Sequence, residues 1–194
     1  EYNGLRIDWP KMEQKARVVE QELEALNASI KTFLPDDARE WFNTRSGDHL
    51  SALLYGGVIN HRHGTPYQHT YQSGPKAGRT ELRYKWEART RVFPRLAEPP
   101  PGSELKKDGF FSVDEDTLKS LSKPKVLVQA LLRRAELEKI VGTYYHGLTK
   151  IQKDYDWQDG YLHGQFNQCR VITGRLSSDH PNQQNFPPEL DELI

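Results

Sequence analysis

The chain has 194 residues, 36% of them hydrophobic and 28% charged, with 27 basic residues matched by 27 acidic ones. That length suits one domain, or a domain with an appendage, and can bury a real core. A net charge of zero excludes an indiscriminate polycation, and no window approaches the ~18 uninterrupted apolar residues of a membrane span.

Glu1-Tyr2-Asn3-Gly4 lacks the basic start and apolar run of a signal peptide. Gly4 to Asp8 reads as a short extended lead-in. Asp8 suits an N-cap, and Pro10 is tolerated in a first helical turn, where its missing N–H costs nothing. Apolar residues then fall at Met12, Ala16, Val19, Leu23, Leu26 and Ile30, in steps of 4, 3, 4, 3 and 4. A period of about 3.5 predicts a helix lying almost parallel to a partner helix. It should end near Phe33, ahead of Pro35.

Trp41 to Leu50 leads into a shorter helix. Ser46 is a plausible cap, Leu50, Leu53 and Leu54 give it one apolar edge, and Gly56-Gly57 stop it. Residues 51–107 carry ten basic residues against four acidic, so charge is concentrated in the middle of the chain. From Glu81 to Val92 the residues alternate. Leu82, Tyr84, Trp86, Ala88, Thr90 and Val92 take one face, with charged residues on the other, which predicts a half-buried strand. Val58 to Tyr71 is its expected antiparallel mate, with the turn at 73–78. The charged face suits either a solvated surface or a nucleic-acid platform.

Pro94 and Pro99-Pro100-Pro101-Gly102 predict a stiff, exposed connector. Ser112 or Asp114 should cap a short helix, and Asp114-Glu115-Asp116 suits a helix start, where acidic residues favour the dipole. A second long helix is expected from about Pro124 to Leu148, its stripe including Leu127, Leu131, Leu137, Ile140, Val141, Tyr144 and Leu148. Running back antiparallel to the first, it would form a stalk with the intervening residues at its tip. Trp157 to Tyr161 makes a turn in which Asp159-Gly160 favours a hairpin, and Leu162 to Ile172 reads as strand. Cys169 stands alone, which rules out an internal disulfide and fits a reducing, cytoplasmic compartment.

The last segment runs from Thr173 to Pro187: Thr-Gly-Arg-Leu-Ser-Ser-Asp-His-Pro-Asn-Gln-Gln-Asn-Phe-Pro. It has almost no apolar content, and its glycine and prolines prevent a long helix. Its side chains are hydrogen-bonding tools: the five-donor fork of Arg175 and the amides of Asn182, Gln183, Gln184 and Asn185. This stretch resembles the segment preceding the catalytic palm strand of family A DNA polymerases, the bacterial DNA polymerase I type. Asp179, His180, Gln183 and Phe186 depart from that pattern; Arg175, Asn182, Gln184 and Asn185 keep it. His163, Phe166, Asn167 and Gln168 match the strand before it, where Cys169 and Val171 replace threonines. Phe42-Asn43, Ser46, Leu50 and Leu54-Tyr55 are similar to the tip of the family's thumb. Glu136-Leu137, Lys139 and Thr143-Tyr144 resemble its second thumb helix, although Ala135 stands where an arginine is common.

The resemblance implies an α+β fold: a long antiparallel helix pair, a β-hairpin insertion and a short antiparallel sheet at the palm edge. The implied division is a thumb-like domain over 1–150, with the insertion at about 56–107 in the manner of phage-type members, and the start of the palm over 151–194. Arg175, Asn182, Gln184 and Asn185 would line the primer–template minor groove, where acceptors occupy equivalent positions in every base pair. Lys139, Arg133, Arg134, Thr173, Ser177, Ser178 and Gln168 would meet phosphates or flank them, giving sequence-independent, salt-sensitive binding.

The implied partners are primer–template DNA and the remainder of the polymerase, in the same chain or as a split partner. The intact enzyme would use magnesium to add deoxynucleotides to a primer. No metal is expected on this segment, because the carboxylates that hold it in the family follow the Pro-Asn-x-Gln-Asn-x-Pro stretch. Residues 1–194 are therefore expected to be inactive alone, as a cut piece, a proteolytic product or one half of a split enzyme. His61, His63 and His69 have no zinc-site spacing, and neither a phosphate-binding Gly-x-x-x-x-Gly-Lys loop nor a Gly-x-Ser-x-Gly elbow occurs. Two other readings stand: a free-standing duplex-binding or processivity module, and a scaffold whose helix pair binds another protein.

Overall fold

The structure, a computed structural model, describes residues 4–157, 160–167, 177–179, 181–182 and 185–193. In chain order its main elements are β1 (Leu5–Arg6), α1 (Trp9–Lys31), α2 (Gly47–Tyr55), β2 (Gly57–Thr70), β3 (Thr80–Phe93), α3 (Glu115–Ser120) and α4 (Lys125–Lys139). A π-helical stretch (Ile140–His146) follows, then α5 (Gly147–Asp154), β4 (Tyr161–Leu162), β5 (Gln165–Asn167) and β6 (Ser177–Asp179). The fold is α+β, with the described strands in three two-stranded antiparallel sheets. The chain divides into two compact units, residues 1–29 with 130–194, and residues 30–129.

The first unit is organised around α1. The Asp8 carboxylate accepts from the Lys11 N–H at 3.1 Å, the expected cap. Met12 is fully buried, and Ala16, Val19, Leu23 and Leu26 pack on a core of Leu137, Ile140, Val141, Tyr145 and Leu148. Burying each large apolar side chain contributes roughly 1.5–3 kcal/mol. Polar pairs at the edges of this seam fix its direction. Asn27 meets Arg134, and Glu20 meets His146, so partners descend along α1 as they ascend on the opposing helix. The two helices are antiparallel.

The second helix differs from its expected form in two ways. It continues to Asp154 rather than stopping at Leu148, and Ile140–His146 is π-helical. Glycine, β-branched and aromatic residues fill that stretch, and none holds the α-register strongly. The hairpin expected at Asp159-Gly160 is not seen among the described strands, Asp159 itself lying outside the described residues. Gly160 does turn the chain, with φ +81, but β4 pairs with β1 at the far end of the sequence, Leu5 opposite Leu162. A local dipeptide signal cannot reveal a partner so distant.

In the second unit, the Ser46 hydroxyl caps α2 by accepting the His49 N–H, and residues 50–55 of that helix are all buried. Gly56 and Gly57 end it as expected, both at positive φ. β2 and β3 then pair over fourteen residues each, from Gly57 opposite Phe93 to Thr70 opposite Thr80. Ile59 and Phe93 anchor the base of this hairpin in the core, where Phe93 meets Phe42 edge-on. The expected burial of the apolar face is overturned: Leu82, Tyr84, Trp86 and Val92 are all exposed. A two-stranded ribbon has no second layer to cover that face, so alternation here marks a face without marking burial.

The proline-rich stretch is exposed at Pro94, Pro101 and Gly102, as expected of a connector, and is anchored at both ends. The Leu96 and Ala97 N–H groups both donate to the Leu54 carbonyl, and Ser112 N–H donates to Ser103. Asp114 caps α3 by accepting the Thr117 N–H at 2.8 Å. That bond and the Ser112 hydroxyl, the larger cause, hold its carboxyl below the usual range.

Candidate nucleic-acid interface

The singled-out segment is built onto the helix pair of the first unit. β5 and β6 run antiparallel, with Phe166 opposite Ser178 and Asn167 opposite Ser177. Ser178 is buried, and its hydroxyl donates to the Pro181 carbonyl at 3.2 Å, closing the turn after β6. Ser177 stays partly accessible. Asn182 and Asn185 are both exposed, and Asn185 N–H donates to the Asn182 carbonyl. The Tyr144 hydroxyl donates to the Asn185 carbonyl at 2.7 Å, and Phe186 packs edge-on against the Tyr144 ring. Beyond them, Leu190 and Leu193 enter the core, and Lys15 pairs with Glu192 at 2.7 Å. The two asparagines are thus held at fixed places on an otherwise polar stretch. Gln168, Thr173, Arg175 and Gln184 lie outside the described residues.

Arg133, Arg134 and Lys139, the three α4 cations expected near phosphates, have different surroundings. Arg134 is 5% exposed; its guanidinium donates to Asn27 and pairs with Glu138 at 2.9 Å. It ties α1 to α4. Arg133 is half-exposed and forked between Glu22 at 2.8 Å and Glu136 at 3.0 Å. Hydrogen bonding to Glu22, then to Glu136, raises its pKa, so it stays a firmly held cation. Lys139 is exposed and makes no salt bridge among the described residues. Of the three, Lys139 has the surroundings of a phosphate contact. Arg134 has those of an internal brace.

In the sequence Tyr144 stands in an apolar stripe and in the likeness to a thumb helix, and neither reveals its role as the anchor of Asn185. Its hydroxyl was the available signal, since a tyrosine packed in a core usually needs a polar partner.

A family model described as DNA polymerase family A matches residues 87–193, a little over half of the chain. The chain belongs to DNA polymerase family A. DNA polymerase I of Geobacillus stearothermophilus is 25% identical over 192 residues, covering 99% of this chain and 16% of that protein. The thermostable DNA polymerase I of Thermus filiformis is 28% identical over 187 residues, covering 96% and 17%. DNA polymerase I of Treponema pallidum reaches 36% over 93 residues, covering 48% and 9%. Among solved structures, the POL domain of Pol1 from M. smegmatis, in complex with DNA primer-template and dNTP, matches with a TM-score of 0.59. It is 22% identical, covering 95% of this chain and 24% of that one, and the likeness concerns the fold. The family A chain thus spans about a sixth of the length of the first two relatives.

Family A polymerases typically use divalent metals. No group of three or more His, Cys, Asp or Glu side chains among the described residues is arranged to hold an ion. The donor set that would hold magnesium is therefore not found in the described part of the molecule. No described helix is long and apolar enough to cross a membrane.

Proposed function

We propose that residues 1–194 are the thumb and palm edge of a template-directed DNA polymerase and hold the primer–template duplex. The intact enzyme would add deoxynucleotides to a primer 3′ end with magnesium. The observation that carries this reading is the exposure of Asn182 and Asn185, with the Asn185 backbone braced on the helix pair by Tyr144 and tied in turn to the Asn182 carbonyl. Their exposed side-chain amides can donate to the purine N3 and pyrimidine O2 acceptors, which report pairing geometry and not sequence. Arg175 and Gln184 would complete that donor set. Ser177, Lys139 and, more weakly, the ion-paired Arg133 would meet phosphates, with Thr173 and Gln168 beside them. Arg134 and Ser178 support the interface from inside. The remainder of the polymerase, in the same chain or as a split partner, would complete the site.

The test is a titration of labelled primer–template into the protein at low and high salt. Binding should weaken with salt, and Arg175→Ala should weaken it at every salt concentration. Absence of affinity at both salt concentrations would remove the DNA reading.

A further inference from the structure

The β2–β3 hairpin carries a surface that includes none of the residues proposed to hold the duplex. Opposed residues of an antiparallel pair share a face, so Tyr84, Trp86 and Leu82 lie on the same side as Pro66, Gly64 and Gln68. Trp86 is 62% exposed and Tyr84 50%. Their ring centres are 5.9 Å apart and their planes 31° from parallel. Gly64 makes this arrangement possible. A Cβ there would stand 3.0–3.2 Å from three atoms of the Trp86 six-membered ring, so the indole lies down against bare backbone. The result is two adjoining aromatic faces open to solvent on a rigid ribbon.

Charge says what covers them. Residues 57–93 hold seven basic side chains against two acidic ones. Both acids are already engaged: Glu81 accepts from the Tyr71 hydroxyl and pairs with Lys76, and Glu87 lies 3.8 Å from Lys85. Arg62, Arg79 and Arg89 form no salt bridge among the described residues. Arg62 is exposed on the aromatic face itself, one same-side position from Gly64. A ribbon with excess positive charge and bare aromatic rings suits a polyanion that offers flat apolar groups.

We infer that this face binds single-stranded nucleic acid, with unpaired bases stacking on Tyr84 and Trp86 and the backbone phosphates drawn by Arg62 and the surrounding cations. A paired duplex is the poorer fit, because its base faces are already stacked on one another. Stacking of this kind is tolerant of sequence, so the surface would take any strand that presents free bases.

The experiment measures binding of a labelled oligothymidylate and, separately, of a blunt-ended duplex without overhang, to the 194-residue protein and to the double variant Tyr84→Ala/Trp86→Ala. Both side chains are largely exposed, so the variant should fold; its circular dichroism and melting temperature check this. The single strand should bind the variant at least tenfold more weakly, on the order of one lost stacked base. Duplex affinity should stay within twofold. Trp86→Phe, which keeps a ring, should recover part of the loss, and Arg62→Ala should flatten the salt dependence of single-strand binding. Equal single-strand affinity of variant and parent would overturn the inference, as would an equal loss on duplex. So would concentration-dependent self-association that disappears in the double variant, since that assigns the face to a second copy of this chain. Failure of duplex binding in the parent, with single-strand binding intact, would count against the proposed function and not against this surface.

Discussion

The indole of Trp41 and the imidazole of His61 lie face to face, 3.8 Å apart between ring centres and 3° from parallel. The stack buries His61 Nδ1 with no hydrogen-bond partner. Desolvation, then the Arg89 and His63 charges, push the His61 pKa down, and Asp37 opposes them. His49 is pushed down too, chiefly by burial, and its Nδ1 accepts the Asn43 N–H at 3.0 Å, a bond that requires the unprotonated nitrogen.

Both rings are therefore neutral in the folded state at pH values where the unfolded chain already binds protons. The unfolded value is about 6.5. Stabilisation from the neutral rings is complete above that pH and is lost as pH falls toward the depressed folded values. The melting temperature should be lower at pH 5.5 than at pH 7.5. His61→Phe, which keeps a ring for Trp41, should shrink that drop. An undiminished drop would assign the acid sensitivity to other groups.

Arg134 and Lys139 lie on one helix and should fail in opposite ways. Arg134→Met removes a buried cation that bridges Asn27 and Glu138, leaving polar groups short of a partner. It should cost about 1–3 kcal/mol in urea denaturation, with the slope of log affinity for primed duplex against log salt unchanged. Lys139→Ala should leave stability within about 0.5 kcal/mol and lower that slope by about one. A Lys139→Ala protein with wild-type slope would exclude Lys139 from the interface.

Tyr144→Phe keeps the ring against Phe186 and deletes only the hydrogen bond to the Asn185 carbonyl. The stability cost should be about 0.5–1.5 kcal/mol. If Tyr144 positions Asn185 for duplex, primer–template affinity should fall several-fold at a temperature where the variant is fully folded. Unchanged affinity would leave Tyr144 as a packing residue alone.

The sequence was most legible where one periodicity decided one element. The six-residue apolar stripe of α1, the Ser46 cap and the strand pair expected at 58–71 and 81–92, found at 57–70 and 80–93, all follow from local chemistry. It was least legible where a distant residue decided the outcome. Nothing near Leu162 announces that its partner is Leu5, and alternation from Leu82 to Val92 cannot say whether a second layer exists to bury it. The interface divides in the same way. Arg175, Asn182, Gln184 and Asn185 were visible as residue types in a pattern, whereas the brace from Tyr144 and the internal pairing of Arg134 depend on neighbours brought in by the fold.

Gly56 tests how that fold joins α2 to the hairpin. Its φ is +78, and an added Cβ would stand 3.2 Å from the Arg95 backbone nitrogen and 3.3 Å from its Cα. The neighbouring backbone cannot easily retreat, because Leu96 and Ala97 N–H groups are bonded to Leu54 and the Arg95 Nε donates to the Tyr55 carbonyl. Gly56→Ala should therefore combine left-handed strain with a backbone clash and cost about 2–4 kcal/mol, the strain alone being about 1–2 kcal/mol. Gly74→Ala is the control, since Gly74 has a similar φ of +81 with nothing within 4 Å of an added Cβ. The difference between the two variants in urea denaturation measures what the ψ of 165° and the Arg95 contact together add at position 56. Amide exchange should speed up at Leu96 and Ala97 in Gly56→Ala and stay unchanged there in Gly74→Ala. Equal destabilisation by both substitutions would mean that the contact with Arg95 yields freely and that backbone strain alone makes glycine necessary at position 56.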